Sequence, residues 1–251
     1  MSGRETKKGG EAIKPVPGRP VKAKPPFGGV LPHSGQGGNL SPAGERPPAL
    51  AADFIISAAA ADQFPDPDLP EIALLGRSNA GKSSLMNRWL GRKGLARVGG
   101  TPGRTRLINF FKVVWYKDDS PFWLADLPGY GFAAAPKSMV AGWRQLVADY
   151  LESGRPLKMA LLMMDIRRDP GPDEFGLLNW LGQLGIPAWV MTTKADKLGQ
   201  SQRSRRLTEI GRLFKDNSPL ERPPLPFSAV TGLGRNTLIE QLIDSGLLRN
   251  L

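Results

Sequence analysis

Lys82, Asp126 and Asp196 are the residues whose types and neighbours could do chemistry on a phosphorylated ligand. Lys82 sits in the run Gly76-Arg77-Ser78-Asn79-Ala80-Gly81-Lys82-Ser83, which fits G-x-x-x-x-G-K-[ST]. An apolar, strand-like run precedes it and an amphipathic helical pattern follows it. Gly76 and Gly81 let the backbone wrap closely around a phosphate with no Cβ in the way. The loop amides and the N-terminus of the following helix aim donors and positive dipole at an anion. The Lys82 ammonium would then reach the β- and γ-phosphates of a nucleotide. The Ser83 hydroxyl would ligate Mg²⁺, a hard cation that wants oxygen. The same letters also describe a glycine-rich turn with a solvated lysine, and they do not choose between adenine and guanine.

Asp126-Leu127-Pro128-Gly129 ends an apolar run 44 residues beyond Lys82. An aspartate there can hold a water on Mg²⁺, and the Gly129 amide can sense a γ-phosphate. Alone, the four residues also read as a strand-ending turn. Thr193-Lys194-Ala195-Asp196 follows another apolar run. A fixed carboxylate at Asp196 can accept from N1–H and the 2-amino group of guanine, which adenine does not offer in that arrangement. The stem of Lys194 can cover the base. Read alone, this segment is also a polar helix cap. Phe227-Ser228-Ala229 comes last, where the Ser228 and Ala229 amides could donate to guanine O6. Three of the four segments fall at the C-terminal ends of strand-like runs, the edge at which open α/β sheets bind ligands.

The elements that must position these residues alternate. Strand-like runs are Ile72–Leu75, Leu107–Tyr116, Phe122–Ala125, Met159–Asp165 and Ala188–Thr192, with a Pro-rich strand at Pro223–Pro226. Helical patterns cover Lys82–Leu90, Lys137–Leu151, Glu174–Leu184, Gln202–Phe214 and about Arg235–Ser245. Such alternation predicts a three-layer α/β domain with a mostly parallel sheet. The link Lys117–Pro121 is too short for a crossover helix, so the strands on either side of it should form an antiparallel hairpin.

Composition narrows the chemistry. The 251 residues include no cysteine and one histidine, His33, which removes thiolate nucleophiles, disulfides and a Ser-His-Asp triad. No apolar stretch approaches the roughly 20 residues that cross a bilayer, and no apolar signal-peptide core is evident, so a cytoplasmic protein is expected. The net charge is +11. That favours polyanionic partners such as RNA, although a merely basic surface gives the same sum. Residues 1–51 read as a disordered tail rich in proline and glycine, and its first 50 residues hold eight Lys/Arg against three Glu. Residues 52–251 read as the folded domain.

Taken together, the strings resemble the EngB (YihA/YsxC) family of GTP-binding proteins, among the translation-factor-related P-loop GTPases. The matching text is Gly76–Ser84 (GRSNAGKSS), Thr101–Thr105 (TPGRT) leading into Leu107-Ile108-Asn109-Phe110-Phe111, then Asp126–Gly131 (DLPGYG), Asp165-Ile166-Arg167, Thr193–Asp196 and Phe227–Ala229. It covers about residues 53–246. The resemblance implies a Ras-like G domain whose sheet has one antiparallel strand, and it extends the nucleotide site to Ser84. It assigns Thr105 as the switch threonine on Mg²⁺ and the γ-phosphate, with Gly103, Arg104, Arg106 and Leu107 around it. It also implies catalytic roles for Lys82, Thr105 and Asn79, the last through a bound K⁺. Tyr130 stands where many signalling GTPases carry a water-orienting glutamine, so intrinsic hydrolysis should be slow.

The biology the resemblance implies is large ribosomal subunit assembly, with a link to cell division and septation, in a chain expected to be a monomer. Arg167, Arg168, Arg203, Arg205 and Arg206 are candidates to face rRNA phosphates, or else form a solvated face. Two alternatives stay open. One is a nucleotide-gated protein scaffold at the division site with little hydrolysis. The other is a P-loop kinase acting on a small acceptor, against which the Thr193–Asp196 segment argues.

Overall fold

A computed structural model describes residues 50–92, 94–95, 107–115, 120–130, 137–218 and 220–244, though not the side chains of residues 137–141 and 143. All of them belong to the compact unit Glu45–Leu251. Except for Leu50 and Ala51, the segment read as tail lies outside the described residues.

Seven strands form one sheet. They are β1 (Leu50–Ala58), β2 (Glu71–Gly76), β3 (Ile108–Trp115), β4 (Ser120–Asp126), β5 (Leu157–Asp165), β6 (Ala188–Thr193) and β7 (Leu225–Pro226). Five helices accompany them: α1 (Lys82–Trp89), α2 (Lys137–Leu151), α3 (Pro172–Gln183), α4 (Gln200–Asn217) and α5 (Arg235–Asp244). The strand order is β1-β3-β4-β2-β5-β6-β7. From β4 to β7 the pairings are parallel. β3 alone runs against the others, antiparallel to both β4 and β1. The expected hairpin is therefore present, with Trp115 opposite Ser120 at its closed end.

The period of two in a strand explains the layers. Ile72 and Leu74 face one side of β2 and pack with Leu85, Met86 and Trp89 of α1 and Leu238 and Leu242 of α5. Ala73 and Leu75 face the other, toward Leu146 and Tyr150 of α2, Leu181 of α3 and Ile210 and Phe214 of α4. Helices on both faces bury the central strands entirely, which is why β2 reads as an uninterrupted apolar run.

Two elements differ from expectation. β1 is a nine-residue strand that the periodicity did not announce, and it begins within the segment read as tail. Phe54 is 50% and Ile55 48% exposed, because β1 is an edge with a bulge between Phe54 and Ile56, so its apolar residues do not alternate. The Pro-rich strand shrinks to Leu225–Pro226, since proline lacks the N–H that would extend a ladder.

Candidate nucleotide site

The phosphate loop joins β2 to α1 at the C-terminal edge of the sheet. Two of its residues have backbone that only glycine takes without strain. Gly76 has φ of 152°, and a Cβ there would lie 2.5 Å from the Met163 carbonyl oxygen. Gly81 has φ of 91° as it caps α1. Lys82, Ser83 and Ser84 follow as the first turn of the helix. Arg77 and Ser78 are half-buried, Ala80 is buried, and Asn79 is exposed with φ of 63°.

The Asp126–Tyr130 segment lies directly against this loop. It continues the β2–β4 pairing: the Leu127 amide donates to Leu74 O (3.0 Å), the Tyr130 amide to Gly76 O (3.3 Å), and the Ser78 amide to Tyr130 O (2.8 Å). Leu127 is buried and Pro128 sits between it and Gly129. A Cβ on Gly129 would come within 2.8 Å of Ser78 N and 3.1 Å of Lys82 Nζ. Any side chain at position 129 would displace the lysine or the loop.

Lys82 and Asp126 are electrostatic partners. Burial lowers the Lys82 ammonium from its ordinary pKa, and the Asp126 charge opposes that. Burial likewise raises the Asp126 carboxyl, against the pull of Lys82 and a hydrogen bond from Asn109. Asp126 is 5% exposed, and its Oδ1 has no hydrogen-bond partner among the described residues. A buried carboxylate oxygen of this kind calls for a cation or a donor. The residues present fit a hydrated divalent cation: the free oxygen of Asp126, and the Ser83 hydroxyl from the start of α1.

A second loop, after β6, is fastened to the first. Thr193 Oγ1 lies 2.5 Å from Ala80 O and 3.0 Å from Met164 O. Lys194 adopts φ of 57° and sends Nζ to Asn79 O (2.9 Å) and Asp165 Oδ2 (3.0 Å). Its ammonium thus ties the two loops while the stem runs between them. Asp165 also takes both Nε (2.9 Å) and Nη2 (2.7 Å) of Arg167. Burial would raise the Asp165 carboxyl, but the bonds from Arg167 and Lys194 outweigh it and hold it well below the carboxylate range.

Asp196 lies in a single tight turn, Ala195–Lys197. The Ala195 amide donates to Phe227 O at 3.1 Å, which brings the Phe227–Ala229 segment alongside. The buried Ser228 hydroxyl donates to Asp196 Oδ1 at 2.7 Å and accepts from the amides of Val230 (3.2 Å) and Thr231 (3.1 Å). This corrects one expectation. The Ser228 amide donates to Leu233 O (3.0 Å) and is not available to a base, so it is the Ser228 hydroxyl that meets Asp196. The Ala229 amide donates to no described residue.

The structure relocates one arginine offered to RNA. Arg206 is drawn inward to Ile166 O (2.9 Å), Asp169 (2.6 Å) and Glu209 (3.2 Å). Arg167 pairs with Asp165 and stays exposed. Arg168 and Arg205 are exposed and Arg203 half-exposed. Leu107 is half-buried at the foot of β3, while Gly103, Arg104, Thr105 and Arg106 lie outside the described residues. Glu174, Asn109 and Ser57 were not singled out from sequence as site residues. Their signals were positional only: Glu174 in the first turn of a helix, Asn109 polar amid the apolar run of β3.

A lysine-bearing phosphate loop fastened to the loop that follows β6 is the arrangement of P-loop GTPases, and that is the class this chain falls in. The profile of a family described as 50S ribosome-binding GTPase matches residues 71–194. The probable GTP-binding protein EngB of Pelotomaculum thermopropionicum is 45% identical over 189 residues, 75% of this chain and 92% of that protein. The protein of the same description from Solibacter usitatus is 44% identical over 186 residues, 74% and 91% of the two chains. A crystal structure of a probable GTP-binding protein EngB superposes with a TM-score of 0.55 at 24% identity, covering 72% of this chain and all of that one. Era with MgGDPNP and 16S ribosomal RNA gives 0.57 at 24%, covering 70% and 56%. The chain belongs to the EngB family of GTP-binding proteins: it binds guanine nucleotide and hydrolyses GTP.

Proposed function

We propose that this chain is a slow, Mg²⁺-dependent GTP switch that acts as a timer in assembly of the large ribosomal subunit and, through it, in normal cell division and septation. In this reading Gly76–Ser84 cradle the phosphates. Lys82 meets the β- and γ-phosphates, Ser83 and Thr105 ligate Mg²⁺, and Asp126 holds one of its waters. Asp196, steadied by Ser228, reads the guanine edge. GTP acts on residues 103–107 and on Asp126–Tyr130, because Thr105 meets the γ-phosphate together with Mg²⁺ and the Gly129 amide senses the γ-phosphate. The ordered form docks on pre-ribosomal RNA and hydrolysis releases it.

The observation that carries slow hydrolysis is Tyr130. Its ring is buried and its hydroxyl donates to Glu174, so no side chain at that position orients water. K⁺ held by Asn79 would supply the missing positive charge; equal turnover in KCl and NaCl would remove that role. The ribosomal assignment draws on the family description, on net charge, and on Arg168, Arg203 and Arg205 at the surface. Era, which shares the fold, is solved with nucleotides 1506–1542 of 16S ribosomal RNA. A monomer in the cytoplasm suits all of this.

The test is co-sedimentation of the full chain with purified 50S particles. Retention with a non-hydrolysable GTP analogue, loss with GDP, and release by salt are expected. Equal retention in both nucleotides would defeat the timer. A second reading, a protein scaffold at the division site, rests on exposed Phe54, Ile55 and Ile56 along the edge of β1. Capture of a protein partner that resists salt would favour it.

A further inference from the structure

Asp126 reaches the site from β4, and the residue opposite it in the antiparallel β3/β4 register is Asn109. On the other side of Asn109, in the β1/β3 register, stands Ser57. Three polar side chains therefore line up across three adjacent strands. Asn109 and Ser57 are half-buried, on the face opposite the buried Ile108 and Phe110.

The hydrogen bonds supply a direction. The Ser57 hydroxyl donates to Asn109 Oδ1 at 2.5 Å. An amide whose oxygen is taken in this way presents its Nδ2 donor to the opposite neighbour. That neighbour is the Asp126 carboxylate, which receives a hydrogen bond from Asn109. Oδ1 of Asp126 has no partner among the described residues, which leaves Oδ2 as the oxygen for the amide to meet. A carboxylate held that way has one oxygen spent and one to offer.

We propose that Ser57 and Asn109 are positioning residues that fix the Asp126 carboxylate with Oδ1 turned to the cation's water, and so set the divalent-metal affinity of the nucleotide complex. The proposal rests on Asp126 as the metal-water carboxylate of the reading above. It also gives the edge strand β1 a part in the site. Partners that orient a metal-binding group typically change metal affinity by about 10- to 100-fold when removed.

Mn²⁺ is the probe, titrated by electron paramagnetic resonance into the GDP complex of the full chain, with GDP affinity measured separately in EDTA. Asn109→Leu should weaken Mn²⁺ by about 10- to 100-fold and leave GDP affinity in EDTA within about twofold. Ser57→Ala should weaken Mn²⁺ less, because the amide loses only its orienter, and Ser57→Thr should restore it. Ser57 variants on the edge strand keep the test decisive if Asn109→Leu fails to fold. Unchanged Mn²⁺ affinity in Asn109→Leu or Ser57→Ala would overturn the proposal. So would a matching loss of GDP affinity in EDTA, which marks a structural defect. Failure of the unsubstituted chain to bind GDP would instead defeat the functional reading, before any variant is compared.

Discussion

The Tyr130 hydroxyl donates to Glu174 Oε1 at 3.1 Å, while the other oxygen of the same carboxylate takes the Gly171 amide at 2.9 Å at the start of α3. The segment after β4 is thus pinned to α3 by its side chain and to the phosphate loop by its backbone. Burial first, then the Glu174 charge, pushes the Tyr130 phenol far above its ordinary pKa, so it stays a neutral donor at any working pH. Such a group does not act as a base, and its proton is committed to Glu174.

Tyr130→Phe should therefore leave the single-turnover rate of GTP hydrolysis within about threefold. It should cost about 1–2 kcal/mol of stability, because one buried carboxylate oxygen loses its donor. Rapid-quench kinetics and thermal melts measure the two. A hundredfold fall in rate would mean that the phenol takes part in the chemistry.

Asp165 sets a pH dependence. Its folded carboxyl lies below the unfolded value of about 3.9, because the bonds from Arg167 and Lys194 outweigh burial. The stability it contributes is fully present above that unfolded value and is lost as pH falls through the folded one. The melting temperature of Asp165→Asn should thus lie below that of the unsubstituted chain at pH 7. The gap should narrow as pH falls below about 4 and close only once pH has passed below the folded value. A gap of the same size at both ends would refute the assignment.

Far from the nucleotide loops, Glu71 at the start of β2 is fully buried, 2.6 Å from Arg155 Nη2 and 2.7 Å from the Tyr150 hydroxyl. The guanidinium also lies over the rings of Phe64 and Phe110. Glu71→Ala leaves a buried cation uncompensated and should cost about 3–5 kcal/mol in urea unfolding. GDP affinity, measured well below the unfolding transition, should not change. A loss of affinity would show that this end of the sheet shapes the site.

What was legible in the sequence follows from periodicity and from glycine. The helix Lys137–Leu151 was read to the residue, and α1 within one residue, because the loop before it fixes its start. The phosphate loop was legible because Gly76 and Gly81 answer to backbone angles and close approaches that hold for any sequence. β1 was not, since the exposed apolar residues of an edge strand carry no alternation. Nor was the use of Ser228. Whether its amide or its hydroxyl faces the site depends on the turn that hands the amide to Leu233, a contact no local pattern encodes. Arg206 shows the same limit: a helical arginine looks solvated until Asp169, on a distant loop, meets it.

The central claim is that the Asp196 carboxylate, held by Ser228, selects guanine for the Lys82 loop. The most direct measurement is a calorimetric titration of the full chain and of Asp196→Asn with GDP, ADP and XDP. The unsubstituted chain should bind GDP and show no comparable affinity for ADP. Asp196→Asn should lose GDP affinity by roughly 10- to 100-fold, the cost of mispairing a buried edge, and gain XDP. Equal binding of ADP and GDP by the unsubstituted chain, or an Asp196→Asn protein that still prefers GDP over XDP, would contradict the account.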